Sequence, residues 1–228
     1  MRVLAIADPH LSAHDPKPMS VFGATWSGHP EAFFQGWREV VRDDDLVLIP
    51  GDVSWAMRLE EALPDLAAIA ALPGRKVLLR GNHDYWWPSL RKLRAALPES
   101  MYAIAHDALR FDDVIVAGTR GWVVPGSPGT DAHDQRIFAR EVERLRLSLA
   151  AAERLGDGYL VVMLHFPPTG PSGEASPLLD LLVEARPDAL VFGHVHGDAP
   201  VHVPTIAGTT VRFVAADALR FRPALIRS

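Results

Sequence analysis

The sequence contains no cysteine. That excludes disulfides, thiolate metal ligands and a cysteine nucleophile. Long hydrophobic runs are also missing. No stretch approaches the roughly 18–20 apolar residues that a membrane-spanning helix needs. The N-terminal MRVLAIAD carries an apolar run of five residues, too short for the core of a signal peptide. Positive charge is the minority: 23 Lys and Arg stand against 28 Asp and Glu, a formal net charge of −5. Long nucleic acid, which is held through many phosphate contacts from Lys and Arg, is therefore not an expected partner. There is no internal repeat, low-complexity tract or evident linker. What remains is a chain of 228 residues, 48% hydrophobic, able to bury a large core. The expectation is one domain over 1–228, soluble and cytoplasmic.

Short runs rich in Val, Leu and Ile recur at 2–7, 46–50, 76–80, 114–117, 159–164 and 189–192. They do not alternate with polar residues, so they read as strands covered on both faces. Helical periodicity lies between several of them, at 30–42, 59–72, 87–97 and 134–155. Pro64 is expected to break or kink the second. In the fourth, Ile137, Glu141, Leu145 and Leu149 share a face, and the charges read as solvated. Alternating strands and helices imply an α/β fold with covered sheets. The last thirty residues read as consecutive antiparallel strands. The loops 9–30 and 119–133 are long, and such loops are often functional.

The polar residues at the strand ends carry the chemistry. Asp8, Asp52, Asn82, His165 and His194 each follow the C-terminal end of a predicted strand. In open α/β sheets, ligands bind outside those ends. Asp8 and His10, like His194 and His196, are spaced i and i+2, which in extended chain points both side chains the same way. Two carboxylates, one amide and four imidazoles form a mixed N/O donor set suited to Mn, Fe, Zn, Co or Ni. Seven ligands are too many for one tetrahedral ion and enough for two if a carboxylate bridges.

The ordered string DPH, GD, GNHD, H and GHVH, spanning positions 8 to 196, resembles the calcineurin-like metallophosphoesterases. The resemblance implies a four-layer αββα sandwich of two mixed sheets, with a dinuclear centre of divalent ions, Mn first among them. It implies that Asp8, His10 and His196 hold one ion, that Asn82, His165 and His194 hold the other, and that Asp52 bridges. His83 would face the leaving group and Asp84 would orient its ring. A bridging hydroxide would attack phosphorus in line. Histidine suits the leaving-group role because its ordinary pKa of about 6.5 allows proton donation near neutrality.

The expected activity is hydrolysis of a small phosphate ester, a phosphodiester ahead of a monoester, with a nucleotide or lipid-linked ester as candidate substrate. A non-catalytic scaffold on the same fold would be expected to lose ligands or His83, and here all are present. Arg120, after a strand, and Arg58, past the GD motif, are candidate phosphate contacts. His14, His29, His106, His133 and His202 belong to no motif and read as surface or loop residues. Trp26, Trp55, Trp86, Trp87 and Trp122 fall in or beside the motif loops and the long loops. They either wall a substrate cleft or anchor those loops in the core.

Overall fold

The computed structural model describes residues 1–197, 199 and 201–228. Two five-stranded sheets pack face to face. The first holds β1 (Val3–Ala5), β2 (Leu46–Pro50), β3 (Arg75–Leu79), β4 (Met101–Ala103) and β10 (Ala224–Arg227), in the order β10-β1-β2-β3-β4. The second holds β5 (Ala108–Phe111), β6 (Val114–Thr119), β7 (Tyr159–Leu164), β8 (Ala189–Phe192) and β9 (Thr210–Phe213), in chain order. Each is mixed: β10 runs antiparallel to β1 and β5 antiparallel to β6, while every other pair is parallel.

Strand alternation builds the layers. In β2, Leu46 and Leu48 face the other sheet, where they meet Val116, Val161 and Met163. Val47 and Ile49 face outward, onto α1 (His29–Val40), α2 (Leu59–Ala70) and α3 (Leu90–Ala96). In β7, Val161 and Met163 point inward, whereas Val162 and Leu164 meet α4 (Ala132–Arg154) and α5 (Pro177–Ala185). Both strands are buried on both faces, which accounts for their unbroken apolar runs. The result is the expected αββα sandwich.

Several local expectations are corrected. The C-terminal strands do not pair with each other: β9 lies parallel to β8, and β10 crosses to the other sheet beside β1. Helix α2 runs through Pro64 without ending. The buried Lys76 ammonium closes its far end, donating to the carbonyls of Ala70 and Leu72. Helix α3 begins at Leu90, capped by the Ser89 hydroxyl, rather than at 87. Glu141 is buried, not solvated. It accepts from the Thr119 hydroxyl at 2.5 Å and pairs with Arg144 at 2.6 Å. Strands β4 and β5 and helix α5 have no counterpart among the expected elements.

Trp37 is fully buried under the first sheet and its Nε1 donates to the Pro73 carbonyl at 3.0 Å. Trp37→Ala should cost about 3–5 kcal/mol. Chemical denaturation checks this, and an unchanged midpoint would contradict the assignment of Trp37 to the core.

Candidate metal centre

Parallel strands in both sheets end at one seam. Asp8 follows β1, Asp52 follows β2 and Asn82 follows β3, all from the first sheet. His165 follows β7 and His194 follows β8, from the second. Hydrogen bonds stitch the seam. The His194 backbone N–H donates to Asp8 Oδ2 at 2.9 Å, and His165 Nδ1 donates to the Pro50 carbonyl at 2.9 Å. The His83 backbone N–H donates to Asp52 Oδ1 at 2.8 Å.

The loops that turn here are strained. Asp8, His10, Asp52 and His194 all have positive φ, between 46° and 74°. Non-glycine residues seldom adopt that region, and clusters of them mark functional sites. The glycines of the motifs leave space, and Gly51 also turns the chain at a φ of 94°. A Cβ on Gly81 would collide with the Asp52 carboxylate, and one on Gly193 with Asp8 Oδ2. A Cβ on Gly51 would lie 2.6 Å from His165 Nδ1.

All seven expected ligands converge. Asp8, His10 and His196 present donor atoms within 4.8 Å of one another, and so do Asp8, Asp52 and His165. Asn82 Oδ1 lies 2.7 Å from His165 Nε2 and 3.0 Å from His194 Nδ1. Asp52 Oδ2 sits between the groups, 3.7 Å from His10 Nε2 and 3.4 Å from His165 Nε2.

The donor chemistry fits divalent cations. His165 spends Nδ1–H on a carbonyl, which leaves the Nε2 lone pair facing the cluster. His196 gives Nδ1–H to Asp217 Oδ1 at 3.0 Å, so its Nε2 faces His10 Nε2 at 3.4 Å. Among the described residues, Asp8 Oδ1 is buried without a hydrogen-bond partner. Such an orphaned carboxylate oxygen among imidazole lone pairs is costly unless a cation meets it.

Electrostatics point the same way. Burial lifts the Asp8 pKa to about 7. Burial pushes His10 and His194 down to about 3, so both are neutral and ligand-ready near pH 7. Burial also opposes charge on His165 and Asp52. Their mutual attraction outweighs it, holding His165 up at about 9 and Asp52 below the usual carboxylate range, so a cation that takes the His165 Nε2 lone pair displaces a proton from it.

A model of the calcineurin-like phosphoesterases matches residues 1–198. The chain belongs to that family. The family has a dinuclear divalent metal centre and the chain presents candidate ligands for one, so the protein is a metal-dependent phosphoesterase. No curated protein matches the sequence. Among solved structures, the chain is similar to the phosphopantetheinyl hydrolase of Mycobacterium tuberculosis, with 15% identity, 99% of this chain and 95% of that one covered, and a TM-score of 0.57. It is also similar to TT1561 of Thermus thermophilus, with 14% identity, coverage of 99% and 98%, and a TM-score of 0.58. These likenesses concern the fold.

Other expected site residues fall differently. The His83 ring is half-buried, 4.5 Å from the Trp55 ring and 5.8 Å from that of His10, and burial lowers its pKa. Asp84 does not orient it. The Asp84 carboxylate is fully buried and accepts from the backbone N–H groups of Asp52, Val53, Ser54 and Gly81 and from Trp86 Nε1. It ties the GD loop to the GNHD loop. Arg120 pairs with Glu141 at 3.5 Å and lies 4.3 Å over Trp122, in a cleft with Arg80 and Arg144 that none of the ligands lines. Arg58 is exposed at the start of α2.

The tryptophans divide. Trp86 and Trp87 are buried anchors. Trp26 is also buried and packs edge-on against His10 and His196. Trp55 stacks on His10 at 4.9 Å. Sequence reasoning misses Asp217, which follows β9 and fixes His196. It also takes His29 for a surface residue, whereas His29 is buried with Nε2 donating to the His10 carbonyl at 3.3 Å.

Asp217→Asn should weaken divalent-metal binding about 10–100-fold, read by Mn²⁺ titration. Gly193→Ala should also weaken it while the circular dichroism spectrum is kept. Unchanged affinity in both would contradict the roles given to them.

Proposed function

We propose that the protein hydrolyses a phosphodiester at a two-metal centre. The observation that carries this is the position of Asp52, one carboxylate within 4 Å of imidazole nitrogens from both ligand groups. Asp8, His10 and His196 would hold one ion, Asn82, His165 and His194 the other, and Asp52 both. The donor set lacks sulfur and suits Mn²⁺, with Fe, Zn, Ni and Co as alternatives. Two such ions, when bound, supply Lewis acidity to the phosphoryl oxygens and acidify water.

The chain's own residues do the rest. His83 borders the cluster and shares a cavity with His10 and His196. That position lets it hand a ring proton to the leaving oxygen as the P–O bond breaks; its lowered pKa makes the imidazolium a stronger acid but a smaller fraction of the ring near pH 7. Asp84 holds the two loops that carry Asp52 and His83 in register. A diester is favoured over a monoester by charge. The two cavities bordering the candidate ligands are lined by no Lys or Arg among the described residues; the cation beside them, Lys17, with Nζ 5.2 Å over the Trp55 ring, is a single charge, and a diester monoanion needs less neutralisation than a monoester dianion.

The test is hydrolysis by metal-stripped protein restored with Mn²⁺, comparing an alkyl aryl diester, the matching monoester and a phosphopantetheinyl ester. The last is included because the similar M. tuberculosis protein is named a phosphopantetheinyl hydrolase. The diester should be the better simple substrate. His83→Ala should lower kcat for a poor leaving group by about 10²–10⁴-fold with metal content retained. Faster monoester turnover would overturn the diester assignment, and an unaffected kcat would remove His83 from the mechanism.

A further inference from the structure

The candidate ligands connect neighbour to neighbour, and separate cavities with largely apolar walls border His10 and His194. His10 and His196 stand at one end of these contacts, Asp52 and His165 in the middle, and His194 at the other. The cavity at the His10 end has a volume of about 190 Å³ and is walled by Met19, Phe22, Trp26 and Trp55 beside His83. The cavity at the His194 end is larger, about 330 Å³, and is lined by Trp122, Val124, Phe166, Pro167, Val195 and Val201 among others. Phe166 joins it directly to the ligands, its ring centroid 3.8 Å from that of His194. A cavity of roughly 150 Å³ suffices for a benzene ring, so each can take at least one ring.

Resting on the two-metal reading above, we propose that the substrate is a phosphodiester with an apolar, ring-sized group on each ester oxygen. The leaving group occupies the cavity that His83 borders, where its oxygen can receive a proton. The retained group occupies the cavity beside His194. Phosphorus lies between them, over the candidate ligands. A monoester would leave the larger cavity empty. Among the described residues, a polar nucleobase would meet mainly hydrocarbon and aromatic walls there, with Ser127, Thr169 and His202 as the polar side chains besides His194. Phe22, 67% exposed at the mouth of the smaller cavity, offers uncovered apolar surface to an incoming group.

Three esters test this on the Mn²⁺-loaded protein: 4-nitrophenyl phenyl phosphate, 4-nitrophenyl methyl phosphate and 4-nitrophenyl phosphate. All share one leaving group, so the comparison reads only the retained side. kcat/KM should be about tenfold or more higher for the phenyl than for the methyl diester. Val201→Asp and, separately, Trp122→Ala should bring that ratio toward one. Phe22→Asp should lower both diester rates and keep the ratio. A second readout is binding without turnover: diphenylphosphinate should quench tryptophan fluorescence at about tenfold or more lower concentration than dimethylphosphinate. Turnover of both diesters at equal kcat/KM would overturn the two-cavity proposal and leave the phosphodiesterase reading standing. No turnover of any ester would overturn the enzymatic reading, and equal binding of the two phosphinates would then overturn the cavity proposal as well.

Discussion

Two carboxylates and four imidazoles meet at the seam between the sheets, where water does not reach most of them. Asp8, Asp52 and His165 are each 1% exposed or less. Bringing these groups out of water costs more than their mutual attraction returns unless further charge joins them. Among the described residues Asp8 Oδ1 has no donor, and His10 and His196 face each other through Nε2 atoms. Much of the remaining architecture either creates this arrangement or keeps it from relaxing. The parallel strands aim their carboxyl ends at one line. The sandwich sets the two lines face to face. The helices cover the outer faces so that the strands can be apolar on both sides.

The loops that leave those strands are held against their own preference. Four candidate ligands sit at positive φ, a conformation worth about 1–3 kcal/mol of strain for each such residue. Hydrogen bonds from neighbouring loops keep them there. Asp84 collects N–H donors from the segments carrying Asp52 and Asn82, and Asp8 accepts from His194 across the seam. The glycines at 51, 81 and 193 permit the close approach, since each faces a ligand side chain where a methyl group would stand. The motif glycines are therefore packing residues as much as turn residues.

The convergence of the seven candidate ligands was legible in the sequence because each follows a strand of unmistakable apolar character or stands two residues beyond a candidate that does, and the spacing within each pair is short. The αββα layering was legible through the same runs. What failed depended on distant chain. β9 has the same local pattern whether it pairs parallel or antiparallel, and its partner is decided by β8. Asp217 becomes a partner of His196 only because β9 lies beside β8. The expected pairing of Asp84 with His83 rested on the family resemblance. In the tight turn of the GNHD loop the carboxylate instead points into the loop's own N–H groups. The strands β4 and β5 are three and four residues long and carry too little periodicity to stand out.

The central claim is that this chain holds two divalent ions through a shared Asp52. The most direct measurement is the number of ions bound at saturation. Protein stripped of metal is dialysed to equilibrium against Mn²⁺ and its metal content determined per chain. Two ions are predicted for the unaltered protein and fewer than two for Asp52→Asn at the same free Mn²⁺. One ion at saturation, or two retained with unchanged affinity after Asp52→Asn, would contradict the account.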